Sequence, residues 1–348
     1  MRLEILPAVP GDGVPVFSDR PGWVKKMAGK KSKKKIPPAA GRGPFKWAFP
    51  VAAGLFLVLM LGMELAKVLN APQPDVFIPA NFIGKISGST LACGKFNAWD
   101  ASPAGEGRIA VTDAERSRVL FFDRSGKFLS QWGKREEGPQ ALKEPSGIVS
   151  DGEGNVFFVD AWQSVLTGLN PSTKPILSAP LTQGFYGSRG LAFDGKSFYV
   201  ADTGAHRVVQ LTQEGNFVTY WGGKMGSGSD QLNDPYALTY YGGNLYVADT
   251  NNHRIQVLDP SGKGRFVKTL KLEGPPSDVV FDAQGRLFVS QLENGAVEVF
   301  NSNGKILGKL KDEKGSPDSF RNVNGLGMTS DGTLLLASGD NVLLYRVP

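Results

Sequence analysis

Ala201-Asp202-Thr203-Gly204-Ala205-His206-Arg207 returns as Ala248-Asp249-Thr250-Asn251-Asn252-His253-Arg254. A short apolar strand leads into each copy, Phe198-Tyr199-Val200 and Leu245-Tyr246-Val247. A second leads out, Val208-Val209-Gln210-Leu211 and Ile255-Gln256-Val257-Leu258. One such unit cannot bury its own apolar face, so repetition at this period implies stacked units around a shared core.

Weaker copies extend the frame. Ile109-Ala110-Val111-Thr112-Asp113 precedes Arg118-Val119-Leu120-Phe121, and Val156-Phe157-Phe158-Val159-Asp160 precedes Val165-Leu166. Leu287-Phe288-Val289-Ser290 precedes Val297-Glu298-Val299-Phe300, and Leu334-Leu335-Leu336-Ala337-Ser338 precedes Val342-Leu343-Leu344-Tyr345. The repeated position falls at 113, 160, 202, 249, 290 and 338. That spacing suits one four-stranded blade per copy. Turn dipeptides Asp194-Gly195, Ser261-Gly262, Asn303-Gly304 and Asp331-Gly332 punctuate the strands. The last copy stops after three strands, at Pro348, and Phe82-Ile83-Gly84-Lys85-Ile86 has the character of the missing fourth. Its pairing there would close the ring and remove an exposed edge.

On these residues the chain resembles the NHL-repeat proteins, a family of six-bladed β-propellers. The resemblance runs from about Phe82 to the end, and two copies match closely, with the linker Gly226-Ser227-Gly228-Ser229-Asp230-Gln231-Leu232-Asn233-Asp234-Pro235. It implies an all-β, six-bladed propeller over 82–348, closed by an N-terminal strand. It also implies a binding or scaffold role more often than an enzymatic one, although fold alone says little about function.

The second informative stretch precedes this region. Trp47 to Met63 is 17 residues without a charge. At about 1.5 Å per residue that approaches the ~30 Å hydrocarbon core, and residues to Leu69 extend it. We expect a transmembrane helix over 46–69 and a linker over 70–81. A cleaved signal peptide fits poorly, because the preceding region is long and Asn70-Ala71 is followed by Pro72.

Residues 1–70 hold 12 Lys/Arg and 4 Asp/Glu, a net of +8; the remaining 39 − 12 = 27 Lys/Arg and 33 − 4 = 29 Asp/Glu give −2. Lys25, Lys26, Lys30, Lys31, Lys33, Lys34 and Lys35 sit just before the apolar run. The positive-inside rule then puts a disordered basic tail, 1–45, in the cytoplasm and the propeller outside it, periplasmic in a two-membrane envelope. The Lys run also suits anionic lipid. Pro7, Pro10, Pro15, Pro21 and the glycines among residues 1–24 argue against fixed structure there. The propeller region has no net positive charge to offer a nucleic acid, and we expect none as partner.

Catalytic chemistry finds little to work with. The chain has two histidines, His206 and His253, and both belong to the repeat. Asp202 with His206 and Arg207, and Asp249 with His253 and Arg254, read as charge-assisted ties within one blade's turn. Propellers related to this repeat class include metal-dependent lyases, which need about three histidine ligands, and lactonases, which need an axial carboxylate cluster. The expected channel mouth reads Asn97, Ser146, Arg189, Tyr236, Ser277 and Asn324, with Asp278 the only acid nearby. That pattern assigns no catalytic residue, metal or cofactor. Cys93 stands alone, so no internal disulfide forms, and it reads as a small packing residue.

Two features break the repeat on the face that holds the second-to-third turns and the links between blades. Trp162 stands where the close copies have Gly204 and Asn251, and the link before Arg189 carries Phe185 and Tyr186, with Tyr236 one blade on. Trp, Tyr and Arg dominate interface hot spots. Trp162, Phe185, Tyr186, Arg189 and Tyr236 are therefore the expected partner- or ligand-binding residues; the alternative for Phe185 and Tyr186 is packing between blades. The expectation is a binding or scaffold subunit of an envelope complex with a protein partner. The rivals are an axial-site metal-dependent lyase or lactonase-like hydrolase, and an extracytoplasmic sensor.

Overall fold

A computed structural model describes residues 76–88, 92–135, 137–261, 265–292, 295–312 and 320–348. The expectations for the tail, the transmembrane helix and residues 70–75 of the linker lie outside these. Among the described residues no helix is long and apolar enough to cross a membrane.

The fold is all-β. Four sheets each contain four consecutive antiparallel strands. The first holds β2 (Ala98–Pro103), β3 (Arg108–Asp113), β4 (Arg118–Asp123) and β5 (Phe128–Trp132). The second holds β6 (Pro145–Ser150), β7 (Val156–Asp160), β8 (Val165–Leu169) and β9 (Pro175–Pro180). The third holds β10 (Ser188–Phe193), β11 (Ser197–Asp202), β12 (Arg207–Thr212) and β13 (Phe217–Gly222). The fourth holds β14 (Pro235–Tyr241), β15 (Asn244–Asp249), β16 (Arg254–Asp259) and β17 (Arg265–Lys271). The remaining strands are β18 (Pro276–Phe281), β19 (Leu287–Gln291), β20 (Val297–Phe300), β21 (Ile306–Asp312), β22 (Gly325–Met328), β23 (Thr333–Ser338), β24 (Asn341–Arg346) and β1 (Phe77–Ser87). They form an eight-stranded sheet in the order β18-β19-β20-β21-β1-β24-β23-β22.

β1 runs longer than the stretch 82–86 singled out in the sequence. Phe77–Ala80 pair in parallel with Lys309–Asp312 of β21. After that, Asn81–Ser87 pair antiparallel with Asn341–Arg346 of β24, across a register shift between Phe82 and Gly84. A β-bulge here lets one strand serve two neighbours running in different directions.

The second and third strands of each sheet are almost wholly buried, because sheets pack face to face on both sides of them. The core is a series of clusters between neighbouring sheets. Trp132 of the first meets Phe158 of the second edge-on at 5.7 Å, and Phe157 of the second meets Phe198 of the third at 4.8 Å. Each fully buried ring of this kind contributes roughly 1.5–3 kcal/mol. Cys93 is partly buried against the first sheet's cluster, and burial pushes its thiol up. This agrees with a packing role.

The first strands approach one another in a closed cycle, β2 to β6, β10, β14, β18, β22 and back to β2. Their approach is tight: a Cβ on Gly147 would lie 2.3 Å from the Arg189 carbonyl oxygen. Five of the six carry a register shift at their entrance. The same pairing corrects one sequence assignment. Pro276 lies opposite Gln291, as Pro235 lies opposite Asp249, so Gln291 rather than Ser290 occupies the aspartate position in that unit.

Candidate functional site

The repeated aspartate is a backbone organiser. Asp202 is fully buried. One carboxylate oxygen accepts from the Tyr186 N–H at 2.7 Å and the other from Arg207 Nε at 2.7 Å. Asp249 does the same with the Asn233 N–H and Arg254 Nε, both at 2.6 Å. The guanidinium ends then donate to link carbonyls, Arg207 to Gln183 and Arg254 to Gly228 and Gln231. Burial pushes both carboxyls up from their ordinary value, against the lowering by these hydrogen bonds. The aspartate–arginine pair thus fixes the link before its own blade, which is the link that carries Tyr186.

The histidines do not share in this tie, contrary to the sequence expectation. His206 and His253 end one-turn 3₁₀ segments in the left-handed region, with φ of 52° and 50°. His206 Nδ1 accepts from the Asp234 N–H at 3.2 Å, in the following link. Ser117 and Ser164 fill the same corner elsewhere, with φ of 57° and 54°. Ser117 sits beside an intact Asp113–Arg118 pair at 2.9 Å. The corner needs a residue that tolerates positive φ, and the ion pair does not need an imidazole.

All five expected binding residues border one open cleft of about 650 Å³, together with Glu144, Ala161, Gly204, Asp234, Asn251 and Leu292. Trp162 is 76% exposed and Tyr186 72%. The Trp162 turn is pinned beneath by its N–H, which donates to Asp160 Oδ1 at 3.1 Å. Phe185 is half-buried among the residues between the second and third sheets and stacks under Arg207 at 5.5 Å. It borders the cleft and packs between the sheets at once.

Arg189 rests against two rings that also adjoin each other, their centroids 5.9 Å apart. Its guanidinium carbon lies 4.8 Å from the Trp99 ring centroid and 5.0 Å from that of Tyr236. Each such stack is worth about 0.5–2 kcal/mol. Its Nη1 is buried without a hydrogen-bond partner, and Glu144 Oε1 stands 3.7 Å away. Burial raises the Tyr236 phenol, partly offset by the Arg189 charge.

Two residues at the channel differ from the sequence reading. Asn97 does not line the mouth; its N–H donates to Asp113 Oδ1 at 3.1 Å, and Trp99 takes the place. Nor is Asp278 the only acid. Asp100 and Asp278 both border the channel. They occupy equivalent sites on β2 and β18, where the other first strands carry Gly147, Gly190, Ala237 and Gly325. Asp100 accepts from the N–H groups of Ala101 at 2.7 Å and Ile148 at 3.0 Å. Asp278 accepts from those of Val279 at 2.7 Å and Leu326 at 2.5 Å. Each carboxylate therefore ties its strand to the first strand beside it in the cycle. Burial pushes Asp100 up to about 7. Asp278 is raised by burial and then by the neighbouring Asp100 charge. The Trp99–Arg189–Tyr236 stack leaves a mouth cavity of only about 20 Å³ beside these acids. A further cavity of about 230 Å³ lies along the first strands, bordered by Ser102, Tyr240 and Met328.

The bulge at five of the six strand entrances explains why the mouth residues are hard to read from sequence, since it re-aims the side chains that follow it. A legible signal was present: the mouth residue directly follows Pro145, Pro235 and Pro276, and Ala98 fills the proline's place before Trp99. Among the described residues, no three His, Cys, Asp or Glu side chains converge as a metal-ligand group.

Comparison with known proteins agrees with this architecture. Residues 232–258 match the NHL repeat. No curated protein matches the chain. Among solved structures, virginiamycin B lyase from Staphylococcus aureus is similar with a TM-score of 0.57 at 11% identity, over 76% of this chain and 99% of that one. A protein of unknown function from Bacteroides thetaiotaomicron gives 0.59 at 15%, over 76% and 75%. A chain of the nidogen/laminin complex gives 0.51 at 17%, over 69% and 81%. At these identities the likeness is one of fold, and the fold is that of a β-propeller containing an NHL repeat.

Proposed function

We propose that the chain is a membrane-anchored, extracytoplasmic six-bladed propeller that serves as a ligand- or protein-binding subunit of an envelope complex. Counting each antiparallel run of four strands as a blade gives six, with β22-β23-β24-β1 as the last, closed by the N-terminal strand. The anchor is the uncharged run from Trp47 to Met63, and the lysines before it hold the N-terminus on the cytoplasmic side against anionic lipid.

One observation carries the binding reading: Trp162, Tyr186, Arg189 and Tyr236, from three sheets, border a single cleft, and two of the rings stand in solvent. Large exposed aromatics on pinned backbone favour a partner over blade packing. The test is affinity purification of the full chain from solubilised membranes. The wild type should bring down a partner or ligand that Trp162→Ala with Tyr186→Ala does not, while the melting curve stays within a degree or two. Retention of the same partner by the double variant would move the functional face elsewhere.

A second reading has the Asp100–Asp278 pair behind it. Two buried carboxyls with raised pKa values are the raw material of acid–base chemistry, and an axial lyase or hydrolase would use them. Against it stands the Trp99–Arg189–Tyr236 stack, which narrows their access from the cleft. Stoichiometric Zn²⁺ or Ca²⁺ in the purified chain would favour this reading over the first.

A further inference from the structure

We infer that the occupant of the cleft is a saccharide. A neutral sugar ring lies on Tyr186 and Trp162 while two of its adjacent hydroxyls bridge Arg189 and Glu144. This rests on the reading of the cleft as the binding site and names what fills it.

The aromatic platform is built in advance. The Tyr186 ring is pressed against Gly204, where a Cβ would come within 2.0 Å of its Cδ1. Its backbone is held on both sides, N–H to Asp202 Oδ1 at 2.7 Å and C=O to the Gly204 N–H at 2.9 Å. One face of the ring is thus fixed against backbone while the side chain stays 72% exposed. Trp162 stands on its own pinned turn at the same cleft. Two open rings suit the C–H face of a sugar, and the Tyr186 ring, already fixed against Gly204, loses little side-chain entropy on binding.

The polar groups ask for a ligand that donates and accepts together. Arg189 is held against the adjoining Trp99 and Tyr236 rings, while its side chain and that of Glu144 stay 27% and 35% exposed at the cleft. Glu144 at 3.7 Å is beyond hydrogen-bond reach of it. The two charges cancel, so a charged ligand gains little net attraction. A hydroxyl pair satisfies both groups, one hydroxyl donating to Glu144 and its neighbour accepting from Arg189. At the rim, Asn251 Nδ2 donates to Asp234 Oδ2 at 2.6 Å, a further amide–carboxylate pair able to meet hydroxyls.

A peptide is the weaker fit. Aliphatic lining is limited to Ala161 and Leu292. The cleft therefore offers aromatic platforms and little aliphatic surface to receive an aliphatic anchoring side chain.

The experiment uses the full chain in a detergent without a sugar headgroup, applied to an array of neutral and N-acetylated oligosaccharides and, in parallel, to an array of short peptides. The wild type should be retained by at least one saccharide. Trp162→Ala and Tyr186→Ala should each weaken that retention roughly thirtyfold, and Glu144→Gln should weaken it less than Glu144→Ala. Unchanged melting curves would show that these variants fold. Retention by no saccharide, or retention that both aromatic variants keep, overturns the inference. Peptide retention lost in Trp162→Ala and Tyr186→Ala overturns the saccharide but leaves the cleft as the binding site. The cleft itself falls only if neither array nor the membrane partner distinguishes those variants from wild type.

Discussion

Tyr186 occupies the space that a side chain on Gly204 would need. The next repeat solves the same backbone geometry differently. Asn233 stands in place of Tyr186 and Asn251 in place of Gly204, with the same pair of backbone hydrogen bonds. The glycine in the motif is therefore a consequence of the tyrosine in the link. Gly204→Ala should displace the ring, cost about 1 kcal/mol of stability and abolish cleft binding. Adding Tyr186→Asn should recover the stability and leave binding lost. A thermal melt with a binding assay on the single and double variants checks this, and an undisturbed single variant would contradict it.

The repeat motif divides into an essential pair and a replaceable corner. Arg207→Ala strands a buried Asp202 carboxylate, and breaking such a pair typically costs about 3 kcal/mol or more. His206→Ser places in the corner what Ser117 and Ser164 already supply, and should stay within about 0.5 kcal/mol of wild type. Denaturant titration of the two variants should separate them clearly. Equal losses would return the histidine to the tie.

The axial acids set a pH dependence of definite sign. Asp100 and Asp278 titrate above their ordinary value in the fold. A carboxyl of this kind supports the fold most when protonated. Its contribution is complete below the unfolded value of 3.8 and is lost as pH rises toward about 7. The wild type should therefore lose melting temperature between pH 4.5 and 8 relative to an Asp100→Asn, Asp278→Asn double variant. Asn cannot present two acceptors to two N–H groups, so a lower starting point for the variant at pH 4.5 leaves this comparison of slopes unchanged. Parallel slopes would refute it.

Ring closure should depend on β1. Deleting residues 76–88 leaves the outward edges of β21 and β24 unpaired, and such edges aggregate. A monomeric deletion variant with an unchanged melting temperature would count against closure.

Topology is the fifth expectation. Protease added outside intact spheroplasts should digest the propeller and spare residues 1–45. A protected propeller would reverse the orientation.

Much of this was legible in the residues, and the illegible part has a common cause. The Asp–Arg spacing in 202–207 and 249–254 gave the repeat, because a buried carboxylate that binds one link and one strand forces that spacing. Trp162 declared itself by size at a turn that elsewhere holds Gly204 or Asn251. Trp99 and Asp100 stayed hidden because a bulge at Ala98 breaks the two-residue alternation on which strand reading relies. Gln291 is illegible for a similar reason: the aspartate and arginine positions there hold Gln291 and Ala296, and only pairing reveals the register. Glu144 could not be found from its neighbours in sequence, since its relation to Arg189 crosses from one sheet to the next.

β1 also has a mechanical meaning. A pull applied at Val76 enters the domain along a strand that is bonded to β21 over its first half and to β24 over its second. Tension along that strand loads the hydrogen bonds of each half together, in shear, instead of opening them one at a time. The load passes into the strands on both sides of β1, and no single terminal hairpin carries it. A domain loaded through its first strand in this way resists being peeled open from that end.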